Sequence, residues 1–427
     1  MQIHVVKPGE SLFIIGNIYG VPYEQIAQAN ELEDASQLAI GQALVIPIVG
    51  TYYWVRPGDS LYRIAQTHGL SVERLAQINN INPAGILQVG QRLYIPEPPK
   101  TPIDSLLYVE PRNPVSQQMI TEVRQRVGQL TYLAMFSYEV QRDGSLKEPP
   151  LDDIPTIAQN AGALNMMVLT NLENYGFSAD LAHVLFTDQA AQNRMIQNAI
   201  ETANRIGYKD IHFDFELLFT EDRELYNQLL RNARDQIHKA GLTISTALAP
   251  KAGEVTTGIY GAHDYKAHGE ICDFVVLMTY EWGYTYSAPQ AVSPIGPVRR
   301  VVEYAVSQIP RDKIFLGQNL YGYDWSAPFG QADSKPAVAL SPRMATNLAI
   351  NEKVSIEYDA VAQAPHFTYY DQQGTEHEVW FEDARSINAK FDLLKEFRLR
   401  GIMYWKLGLA FPQNWLLLED RFTIRKR

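Results

Sequence analysis

The sequence predicts an α/β protein: a (β/α)8 barrel with an α+β insertion before its last strand, preceded by two small βααβ modules. Three observations lead there. The stretch VKPGESL at residues 6–12 returns as VRPGDSL at residues 55–61. From Leu107 onward, short apolar runs alternate with amphipathic helical patterns, the rhythm of a parallel sheet. That rhythm is interrupted once, by SIEYDAVAQAPHFTYYDQQGTEHEVWFED, whose alternating HFTYY and HEVWF around DQQG read as a hairpin.

The two front modules align without a gap. Asn30 matches Asn79, Gly41 and Gln42 match Gly90 and Gln91, and LVIP at 44–47 matches LYIP at 93–96. Each copy opens with a short strand and a Pro-Gly turn, after which Ser11 or Ser60 is a suitable helix N-cap. Two helices and a closing strand complete the unit, giving modules at residues 1–48 and 49–97. Two weak sites gain by avidity on a repetitive polymer, which is a physical reason for duplication. PEPPKTP at 96–102 reads as a stiff linker separating the modules' cores from that of the large domain, residues 98–427.

Within the large domain, strands are expected at LTYLAMFSYE, ALNMMVLTN, DIHFDFELL, LTISTALAP, DFVVLMTYEWG, KIFLGQNLYGYDW and GIMYWKLG. Helices lie between them, as in DQAAQNRMIQNAIETANRIG, and the number of units suits an eightfold barrel. The inserted subdomain is expected at about 326–390.

Composition narrows the function. With 37 basic against 48 acidic residues and a net charge of -11, the chain is a poor partner for nucleic acid. No apolar run is long enough to span a bilayer as a helix. The single cysteine, Cys272, sits in an apolar strand-like run and reads as a small core residue.

The most informative stretch is YKDIHFDFE at 208–216. Strand alternation sends Ile211, Phe213 and Phe215 to the helix layer and Asp210, His212, Asp214 and Glu216 into the barrel. A file of buried ionisable groups is costly unless it does work. Glu216 falls at the C-terminal end of its strand, the catalytic face of such barrels.

The front modules resemble LysM modules, which bind glycans containing N-acetylglucosamine. The fourth strand resembles the family 18 glycoside hydrolase signature Asp-Gly-x-Asp-x-Asp-x-Glu, with Asp214 and Glu216 on its last two acids. Lys209, Asp210 and His212 depart from its first Asp, its Gly and its middle Asp. MTYEWG at 278–283 is similar to the family's Met-Thr-Tyr-Asp strand, with Glu281 for Asp, and Trp405 matches the tryptophan that floors the sugar site. Together with the tandem modules, GQNLYGYDW and HEVWFEDARS, this resembles the branch that degrades spore cortex peptidoglycan as N-acetylglucosaminidases.

The resemblance implies substrate-assisted retaining catalysis, in which the substrate's 2-acetamido carbonyl attacks the anomeric carbon. Glu216 is then the general acid, Asp214 orients the acetamido N–H, and Tyr280 hydrogen-bonds the acetamido oxygen. A neutral His212 donating to Asp214 and bridging it to Asp210 is the expected supporting arrangement. Tyr138, Trp282, Tyr284, Trp325, Trp380 and Trp405 are expected around the cleft, with Gln318 and Asn319 as donors to the glycan. His377, Glu378 and Glu382 meet no metal-ligand spacing and read as a solvated hairpin. No cofactor is called for, and the expected partner is the glycan strand of cortex fragments; a chitinase or chitooligosaccharide hydrolase and a non-catalytic glycan-binding coat protein are the alternatives, the retained Glu216 arguing against the second. MQIHVVKPGESL lacks the layout of a signal peptide, which fits a cytosolic protein or one made in one compartment and deposited on a structure assembled around another. The resemblance implies the spore's coat/cortex boundary as the place of work.

Overall fold

The computed structural model describes residues 1–331 and 334–427. Ser11 and Ser60 accept the N–H of Ile14 at 3.3 Å and of Arg63 at 3.2 Å, starting helices Leu12–Tyr19 and Leu61–Thr67. The repeated asparagines have a mechanical role. Asn30 Nδ2 donates to the carbonyls of Ile26 and Val45 while its Oδ1 accepts the Val45 N–H; Asn79 does the same with Leu75 and Tyr94. In each module one side-chain amide thereby ties the second helix to the closing strand.

Eight parallel strands close the barrel: Thr101–Val109, Tyr132–Val140, Leu164–Thr170, Asp210–Asp214, Thr243–Leu248, Phe274–Leu277, Ile314–Asn319 and Gly401–Trp405. Neighbours pair in sequence order, and Gly401–Trp405 returns to Thr101–Val109. The first strand begins inside the stretch expected to be linker. Pro102 is tolerated there because it lies near the strand's start, where the C-terminal strand Phe422–Ile424 pairs alongside. The helix Gln189–Ile206 is bounded as its sequence predicts, by Asp188 accepting from the N–H groups of Ala190 and Ala191 and by Gly207 at φ 90°.

Strand alternation sorts the side chains into two cores. Ile211, Phe213 and Phe215 join the large apolar layer between strands and helices. Tyr108, Ala134, Met166, Val168, Val276 and Met403 fill the barrel's interior. The run expected as one strand at KIFLGQNLYGYDW is two: Ile314–Asn319 belongs to the barrel, and Gly322–Ser326 enters a five-stranded antiparallel sheet. That sheet runs from Gly322–Ser326 to Glu376–Trp380, so the insertion starts earlier than expected, and helix Ala384–Phe397 returns to the barrel's outer layer.

The first module does not hang on a linker. Ala43 and Val45 of its closing strand belong to the same apolar core as the barrel's helices. Around them, the Ile356 N–H donates to the Ile40 carbonyl at 2.8 Å, Gln413 donates to Asn30, and the terminal ammonium of Met1 meets Asp420 at 2.6 Å. The second module touches the first, through paired hydrogen bonds between the Gln2 amide and the backbone of Tyr52.

Candidate active site

A cleft of about 460 Å³ opens at the C-terminal end of the barrel strands. Asp214, Glu216, Tyr280, Glu281 and Trp405 all line it. Glu216 lies two residues past the end of the fourth strand, and its backbone is clamped from the third: its N–H donates to Asn171 Oδ1 at 2.9 Å, while Asn171 Nδ2 donates to its carbonyl at 2.9 Å. His263 supports the preceding residue, accepting the Ala249 N–H at Nδ1 and donating from Nε2 to the Phe215 carbonyl at 3.0 Å. The carboxyl that closes the motif therefore sits on a backbone fixed from two sides.

Burial decides the protonation states. It pushes the Glu216 carboxyl well above the usual carboxylate range, and the charges of Asp214 and Glu281 push the same way. Burial also raises Asp214, whose Oδ1 makes no hydrogen bond within the protein and so retains its accepting capacity for a ligand. Glu281, at φ 67°, is held by the hydroxyls of Tyr321 and of Tyr323, the latter at 3.1 Å. Trp405 forms the apolar floor, edge-on to Phe136 at 4.8 Å and to Tyr108 at 5.5 Å between centroids.

His212 has partners other than those expected. Its Nε2 meets the Tyr108 hydroxyl at 2.8 Å and its Nδ1 meets Ser245 Oγ at 2.8 Å. Ser245 in turn donates to Asp210 at 2.5 Å, and Thr243 donates to the other oxygen at 2.6 Å. The link from His212 to Asp210 thus runs through a serine on the fifth strand, and Asp214 is not part of it. Burial pulls the imidazole down to about 3, so it is neutral. With Ser245 donating onward, Nδ1–H donates to Ser245 and Nε2 accepts from Tyr108.

Several expected glycan contacts lie elsewhere. Tyr138 is fully buried in the strand–helix layer, hydrogen-bonded to Tyr208 at 2.9 Å, because its strand position faces outward. Gln318 and Asn319 are buried too; Gln318 donates to Asn319, and Asn319 donates to the Tyr321 carbonyl at 2.7 Å, shaping the turn that presents Tyr321. Trp325 stands behind the cleft wall, against Tyr323 at 5.4 Å, with its indole N–H on the Tyr284 carbonyl. Trp282 packs toward the helix layer, and Trp380 stacks on His366 at 4.3 Å. Glu382 is buried rather than solvated, its carboxyl pushed up by burial against the pull of the Lys390 ammonium. Tyr108, Phe136, Asn171, Phe177, Ser245, Tyr260, Tyr321 and Lys406 were not singled out by sequence, although the Tyr-x-Tyr of GQNLYGYDW carries the Glu281 clamp.

The glycosyl hydrolases family 18 model matches residues 106–410 of this chain. The chain belongs to that family. The LysM domain model matches twice before this family 18 barrel, at residues 4–47 and 53–96. Among family members, the cortical fragment-lytic enzyme of Bacillus subtilis (strain 168) is 57% identical, over 100% of this chain and 99% of that protein. The cortical fragment-lytic enzyme of Bacillus cereus is 51% identical over the whole of both chains. The crystal structure of the spore cortex-lytic enzyme SleL of Bacillus megaterium QM B1551 superposes with a TM-score of 0.92 at 48% identity, covering 100% of this chain and 99% of that one.

Proposed function

We propose that this family 18 enzyme hydrolyses spore cortex peptidoglycan after N-acetylglucosamine, with its LysM modules holding it to the glycan at the coat/cortex boundary. The observation that carries this reading is full-length similarity to cortical fragment-lytic enzymes, joined to a cleft where Glu216 and Asp214 stand over an aromatic floor.

In the proposed reaction the acetamido oxygen of the bound sugar bonds to its own anomeric carbon as the glycosidic C–O bond breaks. Glu216 delivers its proton to the leaving oxygen. Asp214 accepts the acetamido N–H and stabilises the positive charge that develops on the oxazolinium ion. Tyr280 hydrogen-bonds the acetamido oxygen. Water then adds to the anomeric carbon, Glu216 takes up its proton, and the ring opens to regenerate the acetamide with retained configuration.

This chemistry dictates which bond is cut. N-acetylglucosamine has a free acetamido group, whereas muramic lactam has its amide locked in a second ring. The new reducing end should therefore be N-acetylglucosamine. Mass spectrometry of borohydride-reduced digests of purified cortex fragments tests this, with chitooligosaccharides run in parallel. Products ending mainly in reduced muramic acid or its lactam would exclude the mechanism, and cleavage of chitooligosaccharides alone would replace the proposed substrate by chitin.

A further inference from the structure

A second depression, of about 710 Å³, lies on the rim above strands one to three and is lined by charged side chains. It adjoins the cleft in two places. Lys406, which lines the cleft, is ion-paired to Glu110, which lines the depression. A two-stranded hairpin, Leu172–Glu173 with Gly176–Phe177, stands between them, giving Phe177 to the cleft while Leu172, Glu173, Asn174 and Tyr175 line the depression.

Three features suit this rim to a small zwitterionic ligand. Its cations are poised rather than consumed: Arg112 is 78% exposed beside Glu110, and Lys147 is 66% exposed on Glu139. Exposed pairs of this kind contribute little to stability, so they can exchange partners at little cost. The carboxylates of Glu110, Glu139 and Glu173 stand with the guanidinium of Arg112 and the ammonium of Lys147, which complements a ligand carrying both signs. Finally, the hairpin turns on Asn174 at φ 52° and Tyr175 at φ 69°, a two-residue turn whose second position favours glycine. A fully exposed tyrosine is instead held there in a strained conformation, at the lip of the depression.

We propose that this rim groove binds the peptide branch of the muramic residue flanking the sugar on Trp405. The inference rests on the peptidoglycan reading above. Beside the lactam rings, that branch is what distinguishes the polymer from chitin: it brings amide groups, carboxylates and the ammonium of a diamino acid. A sugar seated on Trp405 lies beside Lys406, whose ammonium is 5.3 Å from the Trp405 ring centroid and is paired with Glu110 at the groove. A branch leaving the neighbouring ring on that side therefore meets the Lys406–Glu110 pair at the edge of the groove.

The test compares two substrates of equal glycan length: cortex fragments carrying the tetrapeptide, and the same fragments after amidase removal of the peptide. The wild-type enzyme should cleave the peptide-bearing fragments with the higher kcat/KM. Replacing both Arg112 and Lys147 by Gln should lower that value about 10- to 100-fold, the equivalent of one charged hydrogen bond, mainly through KM. Stripped fragments should be cleaved as before, which also reports that the variant is folded. Tyr175→Gly relaxes the turn, so it should keep or raise the melting temperature while losing part of the same preference. Equal wild-type kcat/KM on the two substrates, or parallel losses on both in the variants, overturns the groove assignment alone. Failure to cleave either cortex substrate while chitooligosaccharides are cleaved overturns the peptidoglycan reading and the groove with it.

Discussion

A carboxyl group that gives up a proton near neutral pH needs surroundings that oppose its ionisation. Glu216 has burial first, and then the nearby charges of Asp214 and Glu281. Glu216→Gln keeps the shape and hydrogen bonding but has no proton to deliver, so kcat should fall at least 100- to 10,000-fold while binding of cortex fragments persists. Turnover near the wild-type rate would remove Glu216 from the acid role. Asp214→Asn tests the coupling between the two acids. Removing a negative neighbour lowers the Glu216 pKa, so the alkaline limb of kcat/KM should move to lower pH as the rate falls; an unmoved or upward-shifted limb would mean that the pair does not share charge. These two residues were legible in sequence because strand alternation and the family signature mark them. The environment of His212 was not, because Tyr108 and Ser245 come from the first and fifth strands and meet it when the barrel closes. Glu382 misled for the converse reason: nothing local in HEVWFED announces that helix Ala384–Phe397 buries Lys390 beside it.

At the scale of the element, the fourth strand carries its ionisable file at a cost that varies with pH. Burial raises Asp210 from 3.8 to about 7, against the hydrogen bonds of Ser245 and Thr243. The fold favours the neutral acid, so this residue's contribution is fully present below pH about 4 and is lost as pH rises through about 7. Asp210→Asn should flatten that decline, recovering on the order of 2 kcal/mol between pH 5 and 8. Denaturant midpoints at the two pH values measure it, and a wild-type profile as flat as the variant's would show that Asp210 ionises without penalty. Most strands were readable from their apolar runs. The first is hidden by Thr101 and Pro102 at its start, and the seventh reads as too long because apolar alternation continues across Leu320 and Tyr321 into the inserted sheet.

For the whole molecule, the decisive feature is that the first LysM module and the barrel share a core. A proline-rich segment suggested two independent bodies, but a linker's composition says nothing of what its ends pack against. The contacts made by Ala43, Val45 and the Met1 terminus are long-range and have no local signature. Removing residues 1–97 therefore uncovers apolar surface on helices Ala384–Phe397 and Pro412–Arg421, which the first module's closing strand contacts. No residue lining the cleft comes from that segment, so small soluble fragments should still be turned over. The truncated barrel should melt several degrees lower, at about 2–4 °C per kcal/mol for a domain approaching this size, and should bind an apolar dye that the full chain excludes. Its sedimentation with insoluble peptidoglycan should fall sharply as the modules are lost. Calorimetry of the full chain should show the first module and the barrel unfolding in one transition. A truncated barrel that melts at the temperature of the full chain would mean that the shared core contributes no stability, and the modules would then serve as anchors alone.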